Sequence, residues 1–188
     1  MAKLSPRLSR LALGVVLALG LGTGCGYSVV RYKGAIPGVQ TLAIANLENG
    51  TFEPGVESVV LDALRREAIQ RDGLRLIENP EVADLVIDGR VRTLRVNARS
   101  FTSVVLSVEY DVTLGLALTA TRQDGELIPI DGRAQSDRDR YLASADLEAT
   151  RKNRREAIHR LAETLADRVY DSLYESASAA ADSSTATP

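Results

Sequence analysis

Cys25 is the one thiol in a chain of 188 residues, and its position defines what chemistry it can do. Lys3, Arg7 and Arg10 precede an uncharged apolar run, Leu11 to Leu21, and the small residues Gly22, Thr23 and Gly24 lead into Cys25. This is the layout of a secretory leader, too short to remain as a permanent membrane span. A cysteine directly after the small-residue site reads as a bacterial lipoprotein junction, where the thiol is acylated and the residue becomes the new N-terminus. Cys25 is therefore the expected lipid attachment site. Gly22 stands three before the cysteine, where Leu is usual, and Leu21 comes one place early. With no second cysteine, neither a disulfide nor a thiolate metal site is possible.

Other side chains with catalytic potential are few. Glu109 and Asp111 share one face of a strand, about 7 Å apart by strand rise. Paired carboxylates can do acid–base work, although a solvated strand face carries the same pattern. His159 is the one histidine; it borders a helical stripe and has neither a nucleophile nor a partner arranged with it. No phosphate loop, zinc-ligand spacing or serine elbow occurs. Gly20, Gly22 and Gly24 alternate as in a dinucleotide fingerprint, but no strand precedes them and they lie in the leader. The expectation is a non-enzyme without cofactor or metal.

The run Arg151-Lys152-Asn153-Arg154-Arg155 is the remaining feature with chemistry in it. Traced backward along its helix, the apolar stripe reaches positions 154, 151 and 147. Two of these are arginine, so this end of the helix is expected to project past the sheet. Its ordinary reading is a solvated end with Glu148 paired to Lys152 at i+4. Its functional reading is a patch that grips phosphate or carboxylate groups. Arg99 and Phe101, in the loop before the longest strand, would join that patch.

Bulk composition narrows the classes. Removing residues 1–24 takes away three positive charges and no negative ones, leaving 20 Lys and Arg against 25 Asp and Glu, a formal −5. That argues against a nucleic-acid binder. Trp is absent and aromatic residues make up 4%, so a stacking platform for bases or sugars is not expected. After Cys25 no stretch approaches the 18 apolar residues of a membrane span. The mature length suits one domain. Residues 1–24 read as leader, 25–40 as a lipidated tether, 41–175 as a single domain and 176–188, rich in Ser, Ala and Thr, as a disordered tail.

The elements that must position these residues follow from periodicity. A first strand is expected over Thr41–Asn46. A helix runs from near Pro54 to about Arg71, with Val56, Val59, Val60, Ala63, Leu64 and Ala68 on one face and Gly73 as its stop. Leu74–Ile77 is a short strand before an Asn79-Pro80 turn. Leu85–Val96 is extended but changes phase, which a bulge near Gly89 or Thr93 would reconcile. Val104–Ala120 alternates without a break, the mark of an antiparallel strand with one wet face. Asp124-Gly125 signals a hairpin, and Leu127–Tyr141 returns with Ile128, Ile130 and Ala134 inward. A second helix covers roughly Asp146–Tyr174. The economical packing is α+β: a two-layer α/β sandwich, with two helices on one face of a mostly antiparallel four-stranded sheet.

Several short motifs in fixed order resemble the LptE family of lipopolysaccharide-assembly lipoproteins. They are Cys25-Gly26-Tyr27, the strand Thr41-Leu42-Ala43-Ile44, Arg71-Asp72-Gly73 at a helix end and Ala83-Asp84-Leu85. Val108-Glu109-Tyr110 and Arg154-Arg155-Glu156-Ala157 complete the set. The resemblance implies an outer-membrane lipoprotein, lipid-anchored through Cys25 and facing the periplasm. It implies that the chain plugs the LptD β-barrel, binds lipopolysaccharide and assists its transport without being an enzyme. Arg99, Phe101, Arg151 and Lys152 are the candidate lipopolysaccharide contacts. The alternatives are an accessory or activator lipoprotein of another envelope or secretion machine and, in another class, a periplasmic hydrolase.

Overall fold

Aliphatic residues at every second position draw β4 (Leu85–Ala98) and β5 (Val108–Arg122) into a long antiparallel ribbon, the spine of the fold. The computed structural model describes residues 36–99 and 108–185, so the expectations for the leader, Cys25 and Phe101 lie outside it. Before the ribbon come β1 (Thr41–Ile44), β2 (Glu48–Asn49), α1 (Val56–Gln70) and β3 (Arg75–Leu76). After it come β6 (Ser136–Ala143) and α2 (Leu147–Thr185).

The strand order is β3-β1-β4-β5-β6, and β2 pairs with β4 off this path. β1 lies parallel to both β3 and β4, and β2 is parallel to β4. The sheet is thus mixed and six-stranded, which corrects the expected four-stranded, mostly antiparallel one. The cause is local. β1, α1 and β3 form a crossover unit, and a helix is the usual way to bring a strand back in parallel. The short strand expected at Leu74–Ile77 forms as its return strand, Arg75–Leu76; β2 is two residues, too short to leave a periodic signal.

The phase change in β4 is a bulge. Val91 lies opposite Leu116, the register then shifts, and Thr93 lies opposite Gly115. The extra residue, Arg92, turns Leu94 and Val96 onto the same face as Leu85, Ile87 and Val91. They meet Leu114 and Val112 across the ladder. Gly89 has a separate role. Its φ is 141°, and a Cβ there would lie 2.1 Å from the Ala117 carbonyl oxygen.

Both helices cover this face. α1 buries Val56, Val60, Ala63, Leu64 and Ala68; α2 buries Ile158, Leu161, Leu165, Val169 and Leu173. All belong to one core with Leu42, Leu85, Ile87, Val112, Leu114 and Leu116. Each such Val, Leu or Ile side chain removed from water contributes about 1.5–3 kcal/mol before entropy is counted. The Asp124-Gly125 turn forms as expected, with Arg122 N–H donating to Glu126 O at 2.7 Å. Residues 127–135 include the isolated Thr121–Leu127 bridge and a 3-10 turn at Gly132–Gln135, and the last strand begins only at Ser136.

Two boundaries move. Ile36 and Val39 are buried, and the Arg122 side chain donates to Pro37 O at 3.1 Å; the domain therefore starts before the expected tether ends. At the other end α2 continues to Thr185, where a disordered tail from Ser176 is expected. Ala177 is buried and Ser176 Oγ donates to Pro129 O at 2.8 Å. Alanine is the best helix former, and extending an existing helix avoids the nucleation cost.

Candidate functional site

The sheet face turned away from the helices gathers arginine. In the cross-strand register Thr113 lies between Arg95 and Arg138, and Asp111 between Asn97 and Arg140. Arg99 N–H donates to Glu109 O at 2.8 Å, which puts Arg99 beside the same patch. Arg99 and Arg138 each reach Asp111 at 3.8 Å, and Arg140 reaches Glu109 at 3.1 Å. The Asp111 side chain is 16% exposed, and its Oδ1 has no hydrogen-bond partner among the described residues. Four guanidinium groups around two carboxylates leave this end of the face positive on a chain that is acidic overall. Guanidinium forks are suited to phosphate and carboxylate groups. Glu109 and Asp111 do share a face, but both are held by arginines, and they serve as counter-ions to the patch. A cleft of about 270 Å³ opens beside it, between β6 and the first turns of α2, with Arg140, Leu142, Asn153 and Arg160 in its wall.

The basic run on α2 lies in the helix layer, across the sheet from Arg99. Arg151 pairs with Glu148 at 2.7 Å and Lys152 with Glu156 at 3.7 Å; the expected Glu148–Lys152 pair gives way to these two. Arg154 does not project. Its guanidinium makes a two-pronged contact with Glu53, at 2.8 and 2.6 Å, and ties the loop before α1 to the start of α2. The hydrogen bonds to Glu53 raise the Arg154 pKa above its ordinary value. Leu147 and Arg151 are exposed, so only the first turn of the helix fits the expected overhang. Arg99 is thus not brought together with Arg151 and Lys152. His159 is exposed on α2.

Two residues of the short motifs hold the fold together. Arg71, 3% exposed, reaches Glu67 at 3.0 Å, Asp171 at 2.7 Å and Asp167 at 3.3 Å, and lies over the Tyr170 ring. Tyr170 O–H donates to Leu64 O at 3.1 Å; burial pushes its phenol pKa far up. Asp84 accepts from Thr41 N–H at 2.7 Å and from Gln40 N–H at 3.0 Å, while its own N–H donates to Thr41 Oγ1. The Thr41 N–H, more than any other group, holds the Asp84 carboxyl below its usual value. Sequence reasoning missed both roles; the one local signal was the i,i+4 spacing of Glu67 and Arg71.

The family model described as LptE, lipopolysaccharide-assembly, matches residues 39–173. The chain belongs to the LptE family. The LptE match takes in every strand of the described residues and α2 as far as Leu173, and LptE proteins are lipoproteins without enzymatic activity. No curated protein sequence matches the chain. Among solved structures the fold is similar to lipoprotein B from Nitrosomonas europaea, at 12% identity and a TM-score of 0.46, covering 86% of this chain and 97% of that one. Rare lipoprotein B from Shewanella oneidensis gives 13% identity and a TM-score of 0.44, covering 77% and 98%. A PelC dodecamer subunit from Paraburkholderia phytofirmans gives 17% and 0.36, covering 70% and 89%.

Proposed function

We propose that this LptE-family chain is an outer-membrane lipoprotein, acylated at Cys25, that faces the periplasm. In this reading it plugs the lumen of LptD, binds lipopolysaccharide and assists its transport to the cell surface, without cofactor or catalysis. The family match over residues 39–173 carries the reading. Acyl chains contribute about 0.8 kcal/mol per buried CH₂, so several of them make a firm anchor. The arginines on the open sheet face support the glycolipid part of the reading, because guanidinium groups suit phosphate and carboxylate on a chain that is acidic overall. Affinity-tagged full-length protein drawn from solubilised outer membranes should bring a large β-barrel with it; recovery with a different envelope machine would place the chain among accessory lipoproteins. Mass spectrometry should find the mature N-terminus at an acylated Cys25, and an unmodified N-terminus elsewhere would refute the anchor.

Within the lipopolysaccharide contacts, Arg99 and Phe101 form one candidate group and Arg151 and Lys152 another. Arg99→Glu should weaken lipopolysaccharide binding at low salt, where exposed charges act most strongly. R151E/K152E tests the helix end separately. If both variants bind as the wild type does, none of the three charges touches the glycolipid.

A further inference from the structure

Among the described residues the β6 edge of the sheet is protected and a stretch of β4 is open, and the contrast points to a docking strand. On β6 the Asp137 carboxylate takes the Arg138 N–H and the Asp139 carboxylate takes the Arg140 N–H, at 2.8 and 2.7 Å. Two carbonyls of the same edge are covered from α2: Asn153 donates to Leu142 O at 2.8 Å and Arg160 to Arg140 O at 3.4 Å. Capping an edge in this way prevents another strand from pairing with it.

β4 is different. Its outer edge is paired with β1 and β2 as far as Val91, where Gly50 N–H donates to Val91 O at 2.9 Å. There the Asn49 side chain accepts from Thr51 N–H and bends the chain away. Beyond the bulge, the odd residues of β4 face β5, as Arg99 N–H shows, so Leu94, Val96 and Ala98 turn their N–H and C=O groups outward. Among the described residues nothing hydrogen-bonds to those groups. Beside this edge runs a groove of about 490 Å³, walled by the loop at Thr51 and Phe52 and by Arg92, Leu94, Arg95 and Val96. Phe52 is fully exposed, at 107%, and neither Arg92 nor Arg95 has an ion pair among the described residues.

We propose that the Leu94–Ala98 edge receives an extended acidic segment of a partner protein as an added β-strand. The segment lies where β2 would run if it continued past Asn49. Main-chain hydrogen bonds to Leu94, Val96 and Ala98 supply the pairing, and alternate side chains supply selectivity. Acidic residues on one side of the segment meet Arg92 and Arg95; apolar residues on the other meet Phe52 and the Leu94–Val96 side of the groove. A second copy of the chain is a poor occupant, because it would bring two sets of Arg92, Arg95 and Arg99 along one short ladder.

The test uses the full-length protein in detergent and two fluorescent octapeptides, one alternating Val and Glu, the other Val and Lys. Its outcome is independent of whether the chain travels with LptD. The Val-Glu peptide should bind, and the Leu94, Val96 and Ala98 amides should gain protection from hydrogen exchange. Val96→Pro removes an outward N–H at a place where an edge strand tolerates proline. It and R92E/R95E should each weaken Val-Glu binding by about tenfold or more, the effect of losing a hydrogen bond or a charge pair. The Val-Lys peptide should bind only R92E/R95E. Should Val96→Pro fail to fold, the charge-reversed variant and the exchange data still decide. Undiminished Val-Glu binding by R92E/R95E overturns the proposal, as does no Val-Glu binding, or new protection on β6. So do amides already protected in the free protein, or a dimer that Val96→Pro dissolves.

Discussion

Arg71 brings one buried positive charge against Glu67, Asp167 and Asp171, and its neighbours are unequal. The Asp167 and Asp171 side chains are 53% and 39% exposed, whereas Glu67 is 11% exposed. Removing the cation therefore strands Glu67 above all. Arg71→Met should lower the unfolding free energy by about 3 kcal/mol, the lower end for a broken buried pair. Replacing Glu67 with Met as well should restore part of that loss in urea denaturation, because the stranded charge is gone. Asp84 acts through pH. Its folded pKa lies below the ordinary 3.8, so its contribution is complete above that value and is lost as pH falls through the lower, folded one. Asp84→Asn should flatten the fall of Tm below about pH 4; an unchanged acid limb would show that other carboxylates govern it. At this scale the sequence was only half legible. The shared face of Glu109 and Asp111 follows from parity alone. Their partners on β6 do not, because Asp and Arg alternate there and only the register decides which of them faces the patch.

Among the elements, β5 was the most legible, because strict alternation reports a half-buried strand without help from its neighbours. That phase can be tested. Val112 is fully buried, while Thr113 lies on the open face between Arg95 and Arg138. Val112→Asp should cost several kcal/mol out of a typical stability of about 5–15. Thr113→Asp should cost far less, since an acidic residue there meets two arginines; equal losses of Tm would show the phase to be wrong. The bulge in β4 was legible too, because Leu94 and Val96 fall out of step with Leu85, Ile87 and Val91. The short strand expected at Leu74–Ile77 is present as β3, Arg75–Leu76. β2 was not legible: its two residues are defined by their pairing with β4, and no periodicity reports them. The tail of α2 was misread because Ser and Ala, taken as composition, suggest disorder; taken as the continuation of a packed helix, they suggest more helix.

In the whole molecule, charge and hydrogen-bonding capacity are both unevenly spread. The acidic excess coexists with an arginine-rich sheet face, and a sealed β6 edge coexists with an open stretch of β4. Neither asymmetry is visible in totals, and a net charge says nothing of where the charges gather. A further consequence lies in the order of events during folding. The Arg71 contacts to Asp167 and Asp171 join residues 96 and 100 positions apart, and α2 supplies the lid over the strands. A chain emerging N-terminus first has no closed core until its last helix arrives. Contacts of such separation form late, after the entropy of closing the loop has been met. A fragment ending at Ala143 should accordingly be cut rapidly by a protease at concentrations the full chain resists. Survival of the fragment would mean that the sheet and α1 suffice on their own. If it is cut, the first three-quarters of the chain stay unfolded, and pliable enough to be threaded, until synthesis is almost over.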